Sequence, residues 1–302
     1  MDLKKLSDLI RIAKNKSRKK KLVLAAAEDD FSLRAVSDLN ELGLIEPILI
    51  GNKEKIKQAL DMEKINIKNY EIHAAKSEKD AARISVEYIK TGKADILMKG
   101  LVSTRIFLKE ILNKKTGITT HGHYSHIGLF ESPYYHKLFG LSDAAINIVP
   151  DITDKKHIII NAVESFHRLG IEKPKVALLA AIEKINPSMQ ATVDAAKLVK
   201  INSKEQFVNC FLEGPLALDL AISSEAAEHK GVKSEIAGDV DILIVPEISS
   251  GNVLYKSLTY LGGALAAGVL TGTEVPVVLA SRSDSEESKI YSIALAHSIC
   301  NC

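Results

Sequence analysis

Asp95-Ile-Leu-Met-Lys-Gly-Leu-Val-Ser-Thr104 holds the pattern that decides the fold. A short apolar run ends in Lys99 and Gly100, a Ser-Thr pair follows, and helical apolar spacing then runs over 104–112. Gly100 permits a tight turn, and Ser103 and Thr104 offer hydroxyls to the free amides of a helix start. Strand, turn and capped helix make one βα unit. Outward from it the same unit recurs. Besides 95–99, strands are expected over 21–27, 47–51, 70–75, 127–131, 138–141, 175–181, 207–212, 241–246 and 276–280. Helices are expected over 32–42, 53–60, 80–91, 155–169, 188–200, 253–267 and 286–298. The alternation predicts an α/β fold of mostly parallel sheets flanked by helices. Segments 113–124 and 131–136 read as loops. A chain of 302 residues suits two domains of roughly 150 residues each, with a cleft between them.

Composition narrows the function. Apolar residues at 46% and charged residues at 26% are those of a chain that buries a core. The net charge is only +2, with the signs interspersed, so no extended field exists to hold a nucleic-acid backbone. The basic run Arg18-Lys19-Lys20-Lys21 reads as the solvated end of a first helix sooner than as a phosphate-binding arm. The start shows no signal-peptide pattern and no stretch of about 18 apolar residues occurs. A cytosolic protein with no membrane partner is expected. The odd set Cys210, Cys300 and Cys302 argues against a disulfide framework. The C-x-C tail reads as a frayed end, not as a metal site.

In parallel sheets ligands collect at the carboxyl ends of strands, where a helix start turns free amides toward an anion. Three strand ends fit. The first carries Lys99, Gly100, Ser103 and Thr104. The second is Asp241-Ile-Leu-Ile-Val-Pro-Glu-Ile-Ser-Ser-Gly-Asn252, leading into Tyr255 and Lys256. The third is Val277-Val-Leu-Ala-Ser-Arg-Ser-Asp-Ser285, where Arg282 offers a bidentate grip on phosphate and Ser281, Ser283 and Ser285 lie at a helix start. Each alone is ordinary capping chemistry; three together suit a ligand with several phosphates. No P-loop, dinucleotide fingerprint or serine elbow is present. His121, His123 and His126 have metal-compatible spacing, yet polar surface is the simpler reading. Glu213 and Asp219, after a predicted strand, are open either to a site or to capping.

Six stretches in this order carry a resemblance over nearly the whole chain. They are Ser142-Asp-Ala-Ala-Ile-Asn147, Ile185-Asn-Pro-Ser-Met189, Glu213-Gly-Pro-Leu-Ala-Leu-Asp219, Ile236-Ala-Gly-Asp-Val-Asp-Ile-Leu-Ile-Val-Pro246, Gly251-Asn-Val-Leu-Tyr-Lys-Ser257 and Ala280-Ser-Arg-Ser-Asp-Ser285. The chain resembles the phosphate acetyltransferase/phosphate butyryltransferase family, and its butyryl branch most. The resemblance implies a first domain of 1–133 completed by 277–302, and a second of 134–276. It implies the reaction of a short acyl-CoA with phosphate to give acyl phosphate and CoA, both as substrates, with no further cofactor and no metal. Ser281 and Arg282 would bind phosphate or acyl phosphate, and Gly251 and Asn252 would lie on the facing domain.

Two departures from the acetyl branch stand out. Its aspartate six residues after the arginine is Ser288 here, which leaves Glu287 or Asp284 as base for the CoA thiol. Its arginine in the helix after the paired hydroxyls is Lys109. Catalytic roles are therefore expected for Ser281, Arg282, Asn252 and Glu287. Substrate binding is expected for Lys99, Gly100, Ser103, Thr104, Gly251, Tyr255, Lys256 and Ser283. A homo-oligomer is expected, although the apolar stretch 261–270 reads sooner as a buried helix than as a partner surface. The rivals are a metal-dependent two-domain dehydrogenase, which would need an aspartate cluster, and a non-catalytic binding protein.

Overall fold

The structure, a computed structural model, describes residues 3–16, 18–120, 122–280 and 284–301. In chain order the elements are α1 (Ser7–Asn15), β1 (Lys20–Ala25), α2 (Asp30–Glu41), β2 (Ile45–Gly51), α3 (Lys53–Met62), β3 (Glu71–Ala74), α4 (Glu78–Lys90), β4 (Ile96–Lys99) and α5 (Thr104–Ile111). Then follow β5 (Ser125–Glu131), β6 (Phe139–Ser142), α6 (Ile152–Arg168), β7 (Lys175–Leu179), α7 (Gln190–Glu205), β8 (Phe211–Leu216), α8 (Leu218–Ile222), α9 (Ser224–His229) and β9 (Ile242–Ile244). The chain ends with α10 (Ile248–Lys256), a π-helical turn over Ser257–Leu261, β10 (Leu265–Thr271), β11 (Val277–Val278) and α11 (Glu286–Ile299). Two units result: Ser7–Gly122 with Ala267–Cys302, here the first unit, and Met1–Leu6 with His123–Ala266, the second. The expected borders, 133/134 and 276/277, differ in that β5 lies in the second unit and the return to the first begins within β10.

In the first unit the strands run in the order β3-β2-β1-β4-β11-β10. All neighbours are parallel except β10 with β11. β1 is central, and Leu22 to Ala25 are fully buried because helices cover both faces. The helices start where the sequence supplies caps: Asn52 accepts from the Lys55 amide, Ser77 from Asp80 and Ser103 from Ile106. The order of strands reverses between β1 and β4, which places a ligand crevice beyond Ala25 and Lys99.

The second unit runs β5-β6-β9-β7-β8, antiparallel only at β5 with β6. Its reversal point lies between β7 and β9. Asp151 and Asp154 close a reciprocal capping box at the start of α6. Lys155 of α6 and Asp194 of α7 form a buried ion pair at 2.7 Å, and Gln190 adds a hydrogen bond to the same carboxylate.

Three expectations need correction. Residues 253–267 are not one helix: α10 stops at Lys256, and after the π turn Gly263, at φ +65°, reverses the chain into β10. Leu265–Thr271 is rich in Leu and Ala and mostly buried, so its composition suits a buried strand as well as a helix. The strand expected over 207–212 lies later, at Phe211–Leu216, because pairing with β7 joins Lys175 to Phe211 and Leu179 to Leu216. Lys20 and Lys21 open β1 instead of ending a helix, and Lys20 is buried. Among the described residues no helix is long and apolar enough to cross a membrane.

His297, on α11, is 1% exposed, and neither ring nitrogen has a hydrogen-bond partner. Burial first, and then the ammonium groups of Lys20 and Lys16, lower its pKa to about 4 from an ordinary 6.5. The unfolded chain therefore takes up a proton below about 6.5 while the folded chain resists it until about 4. The associated stability is complete above the upper value and is lost as pH falls toward the lower one, by up to about 3 kcal/mol. Urea midpoints measured from pH 7.5 to 4.5 will fall more steeply for the native chain than for His297→Leu.

Candidate functional site

In the first unit, Lys99 ends β4 with a buried side chain whose ammonium donates to the carbonyls of Gly100 and Val102 at 3.3 and 3.5 Å. It thus helps fix the turn in which it lies. Gly100 and Leu101 donate their amides to Ala25 and Ala26 at 2.8 and 2.7 Å, stitching this turn to the end of β1. A Cβ on residue 100 would collide with both those carbonyls, so the position requires glycine. Ser103 caps α5 and receives a second anchor, its amide donating to Glu78 at 3.2 Å. Ser103 and Thr104 are exposed at the helix start, and Lys109 is exposed in the last turn of α5. Lys99, Gly100, Ser103 and Thr104 are therefore gathered at one strand end, on the crevice the topology defines.

Beside it lies a cavity of about 250 Å³ lined by Glu28, Asn52, Lys55, Lys76, Ser77 and Leu101, among others. Sequence reasoning missed it because its walls come from the ends of β1, β2 and β3. Its charges are of both signs, with Glu28 and Glu78 set against Lys55 and Lys76.

Ser281, Arg282 and Ser283 lie outside the described residues. The chain after them is well anchored. Ser285 caps α11 by accepting from the Ser288 amide, and the two hydroxyls are also bonded at 3.2 Å. Lys289 is buried, donates to the Asp284 carbonyl at 2.8 Å and sits over the Phe31 ring. Glu287 is exposed in the first turn of α11 and accepts from the Tyr291 hydroxyl at 3.1 Å. Ser288, where the acetyl branch has an aspartate, belongs to the cap. Nothing in the sequence marked Lys289 as an anchor.

In the second unit the site residues gather on α10. Glu247 caps this helix through the amides of Ser249 and Ser250. Burial opposes ionisation of Glu247, but those amide bonds prevail and its pKa is lowered. Gly251 is buried; a Cβ there would lie 2.8 Å from the Asp143 carbonyl and the Val245 methyl. Asn252 is exposed, and its side-chain amide donates to the Ala144 carbonyl at 3.2 Å.

The loop that receives Asn252 is organised by Asp143, a residue 3% exposed. Its carboxylate accepts the amides of Ala145, Ile146 and Asn147 at 2.9, 3.1 and 3.1 Å, and the Asn147 side chain as well. Asn147 also donates to the Tyr124 carbonyl at 2.9 Å. An aspartate bonding the amides two to four residues on is ordinary Asx chemistry, a signal present in Ser142–Asn147 but weak by itself.

Tyr255 is taken up by packing. It sits against Gly128 and edge-on to Phe130 at 4.9 Å between ring centres. Lys256 points to the exposed side, over the Tyr260 ring. Glu213 lies inside β8 and accepts from the Glu235 amide, while Asp219 pairs with Lys230 on the surface.

His121 is outside the described residues; His123 stacks on His157 at 3.8 Å and His126 is buried in β5. Among the described residues no group of three or more His, Cys, Asp or Glu is placed to hold a metal ion. Cys210 is buried, and desolvation pushes its thiol up to about 12 against the opposing pull of Lys173. Cys300 is also buried and donates to the Asp95 carbonyl.

Residues 6–83 and 62–297 match the family profile described as Phosphate acetyl/butaryl transferase. The chain is 44% identical over 294 residues to the phosphate butyryltransferase of Clostridium acetobutylicum, with 97% of each chain covered. It is 39% identical over 291 residues to the phosphate acetyltransferase of Thermotoga maritima, covering 96% of this chain and 98% of that one. Among solved structures it is similar to a branched-chain phosphotransacylase from Enterococcus faecalis V583, with a TM-score of 0.83 and 36% identity over 93% of this chain and 99% of that one. The class these matches define is an acyltransferase on α/β units. The chain belongs to the phosphate acetyl/butyryl transferase family.

The Asp143 carboxylate gathers several donors that its loss would leave buried and unpaired. Asp143→Ala is expected to cost about 3 kcal/mol or more, and Asp143→Asn, which keeps one acceptor oxygen, distinctly less. Chemical denaturation of the two variants beside the native chain measures both.

Proposed function

We propose that the enzyme is a phosphate butyryltransferase, interconverting butyryl-CoA and phosphate with butyryl phosphate and CoA. The observation that carries the reading is the 44% identity to such an enzyme across 97% of both chains. The two departures from the acetyl branch, Ser288 and Lys109, support it. Ser288 is engaged in the cap of α11, which leaves Glu287, one residue earlier and exposed, as the carboxylate in place of the missing aspartate. Lys109 offers a point charge in place of a bidentate fork.

In the direction of acyl-CoA formation, a base takes the CoA thiol proton and the sulfur attacks the carbonyl carbon of acyl phosphate. The carbon–sulfur bond forms, the carbon–oxygen bond to phosphorus breaks, and phosphate leaves with its electron pair. A free thiol is mostly protonated at neutral pH, so the base matters. Glu287, exposed in the first turn of α11, is proposed for this role. Arg282 is proposed to neutralise phosphate, Ser281 and Asn252 to meet the reacting group, and Lys99, Ser103, Thr104, Lys256 and Ser283 to bind the anionic parts of the substrates. Attack is direct, without an acyl-cysteine, in line with the raised thiol of Cys210.

A cytosolic enzyme is consistent with these substrates. Exposed Val253, Tyr260 and Leu261 on and after α10 support a homo-oligomer. An acetyl preference is the alternative reading.

Release of CoA from butyryl-CoA, followed by a thiol reagent, is expected to need phosphate and to exceed release from acetyl-CoA. Arg282→Ala is expected to lower kcat/KM by at least a hundredfold. Faster release from acetyl-CoA would favour the acetyl reading, and no release from either would end the acyltransferase reading.

A further inference from the structure

The second unit holds a cavity of about 430 Å³ at the carboxyl ends of β7 and β9. That is the point where its strand order reverses, with α7 and β8 to one side of β7 and β9 to the other. Open α/β sheets take their ligands at such a crevice. The wall comes from Leu179 and Ala180 at the end of β7, Ala191 on α7, Leu218 on α8, Pro246 after β9 and Leu254 on α10, with further residues beside them.

Several stretches that carry the family resemblance meet here: Met189, Leu218, Val245 and Pro246, and Leu254 each come from a different one. Separate in sequence, they share this cavity.

The wall is almost wholly hydrocarbon. Among the described residues no charged side chain lines it, and the two polar ones that do are already engaged: Ser250 donates to the Glu247 carbonyl and the Gln190 amide donates to Asp194. That wall offers phosphate no charged side chain. The two amides of a pantetheine arm and the ring nitrogens of adenine would lose hydrogen bonds to water without replacement. The acyl chain is the one part of the substrates with no polar atom to satisfy.

We propose that this cavity receives the acyl chain and sets acyl-length preference. The assignment rests on the acyltransferase reading and extends it. A methylene occupies about as much space as one water, ~30 Å³, so a butyryl chain fills only a fraction of the 430 Å³. Chains longer than four carbons are therefore substrates, and each added methylene raises kcat/KM roughly fourfold until the space is filled. Met189, 37% exposed at the rim, leaves the cavity open to arriving chains.

The test is kcat/KM with phosphate for acetyl-, butyryl- and hexanoyl-CoA in the native chain, Ala191→Phe and Leu254→Trp. The two substitutions fill the cavity from different helices, at half-buried positions, so that one reports if the other fails to fold. Lys197→Ser, at an exposed position of α7, is the control. The expected result is a native preference for hexanoyl over acetyl, a hexanoyl-to-acetyl ratio lowered at least tenfold by each filling variant, and an unchanged ratio in the control. An unchanged ratio in both folded filling variants, or an equal rise in KM for every thioester, would overturn the assignment; the latter would give the cavity to the CoA moiety. Absence of phosphate-dependent release from any thioester in the native chain would instead remove the acyltransferase reading, and this proposal with it.

Discussion

A single buried carboxylate organises the part of the second unit that carries its candidate site residues. Asp143 draws the amides of Ala145, Ile146 and Asn147 around itself, and so turns a loop of small residues into a fixed edge beyond β6. Against that edge α10 is pressed through Gly251, where a side chain would have no room, and is tied by the hydrogen bond from Asn252 to Ala144. Glu247 secures the start of the same helix. With α10 held in rotation and height, its faces divide the work. Asn252 is exposed, Tyr255 packs on Gly128 and Phe130, and Ser250 and Leu254 border the apolar cavity. The first unit uses the same device at Gly100, where backbone closes on backbone and lets the cap of α5 begin at once.

What could be read in advance was what local chemistry writes. The turn at Gly100, the cap at Ser103 and the run of buried strand residues in β1 each follow from residues adjacent in sequence. The end of α10 was harder. Leu265–Thr271 has neither helical nor alternating spacing, because most of its residues on both faces are buried, and only its pairing with β11 distinguishes it from a buried helix. The slip of β8 to Phe211–Leu216 has the same origin, since β7 sets its register.

The candidate site divides along similar lines. Lys99 and Ser103 lie at a strand end and a helix start, as their neighbours in sequence indicate, whereas Gly251 and Asn252, expected just ahead of a helix, lie inside α10. The roles of Asp143 and Lys289, the packing of Tyr255 and the apolar cavity depend on segments that meet only in three dimensions. Ser281, Arg282 and Ser283, on which the chemistry is proposed to turn, lie outside the described residues; for them the family pattern alone speaks. The cysteines are a case where burial sharpened a sequence argument. A thiol pushed up to about 12 supplies almost no thiolate at neutral pH, so the account centres on direct transfer between two bound substrates.

That claim is tested most directly by isotope exchange. The enzyme, freed of CoA, is incubated with butyryl phosphate and labelled inorganic phosphate. Direct attack within a ternary complex predicts that no label enters butyryl phosphate until CoA is added. Exchange in the absence of CoA, at a rate comparable to turnover, would mean that an acyl-enzyme forms and would contradict the account.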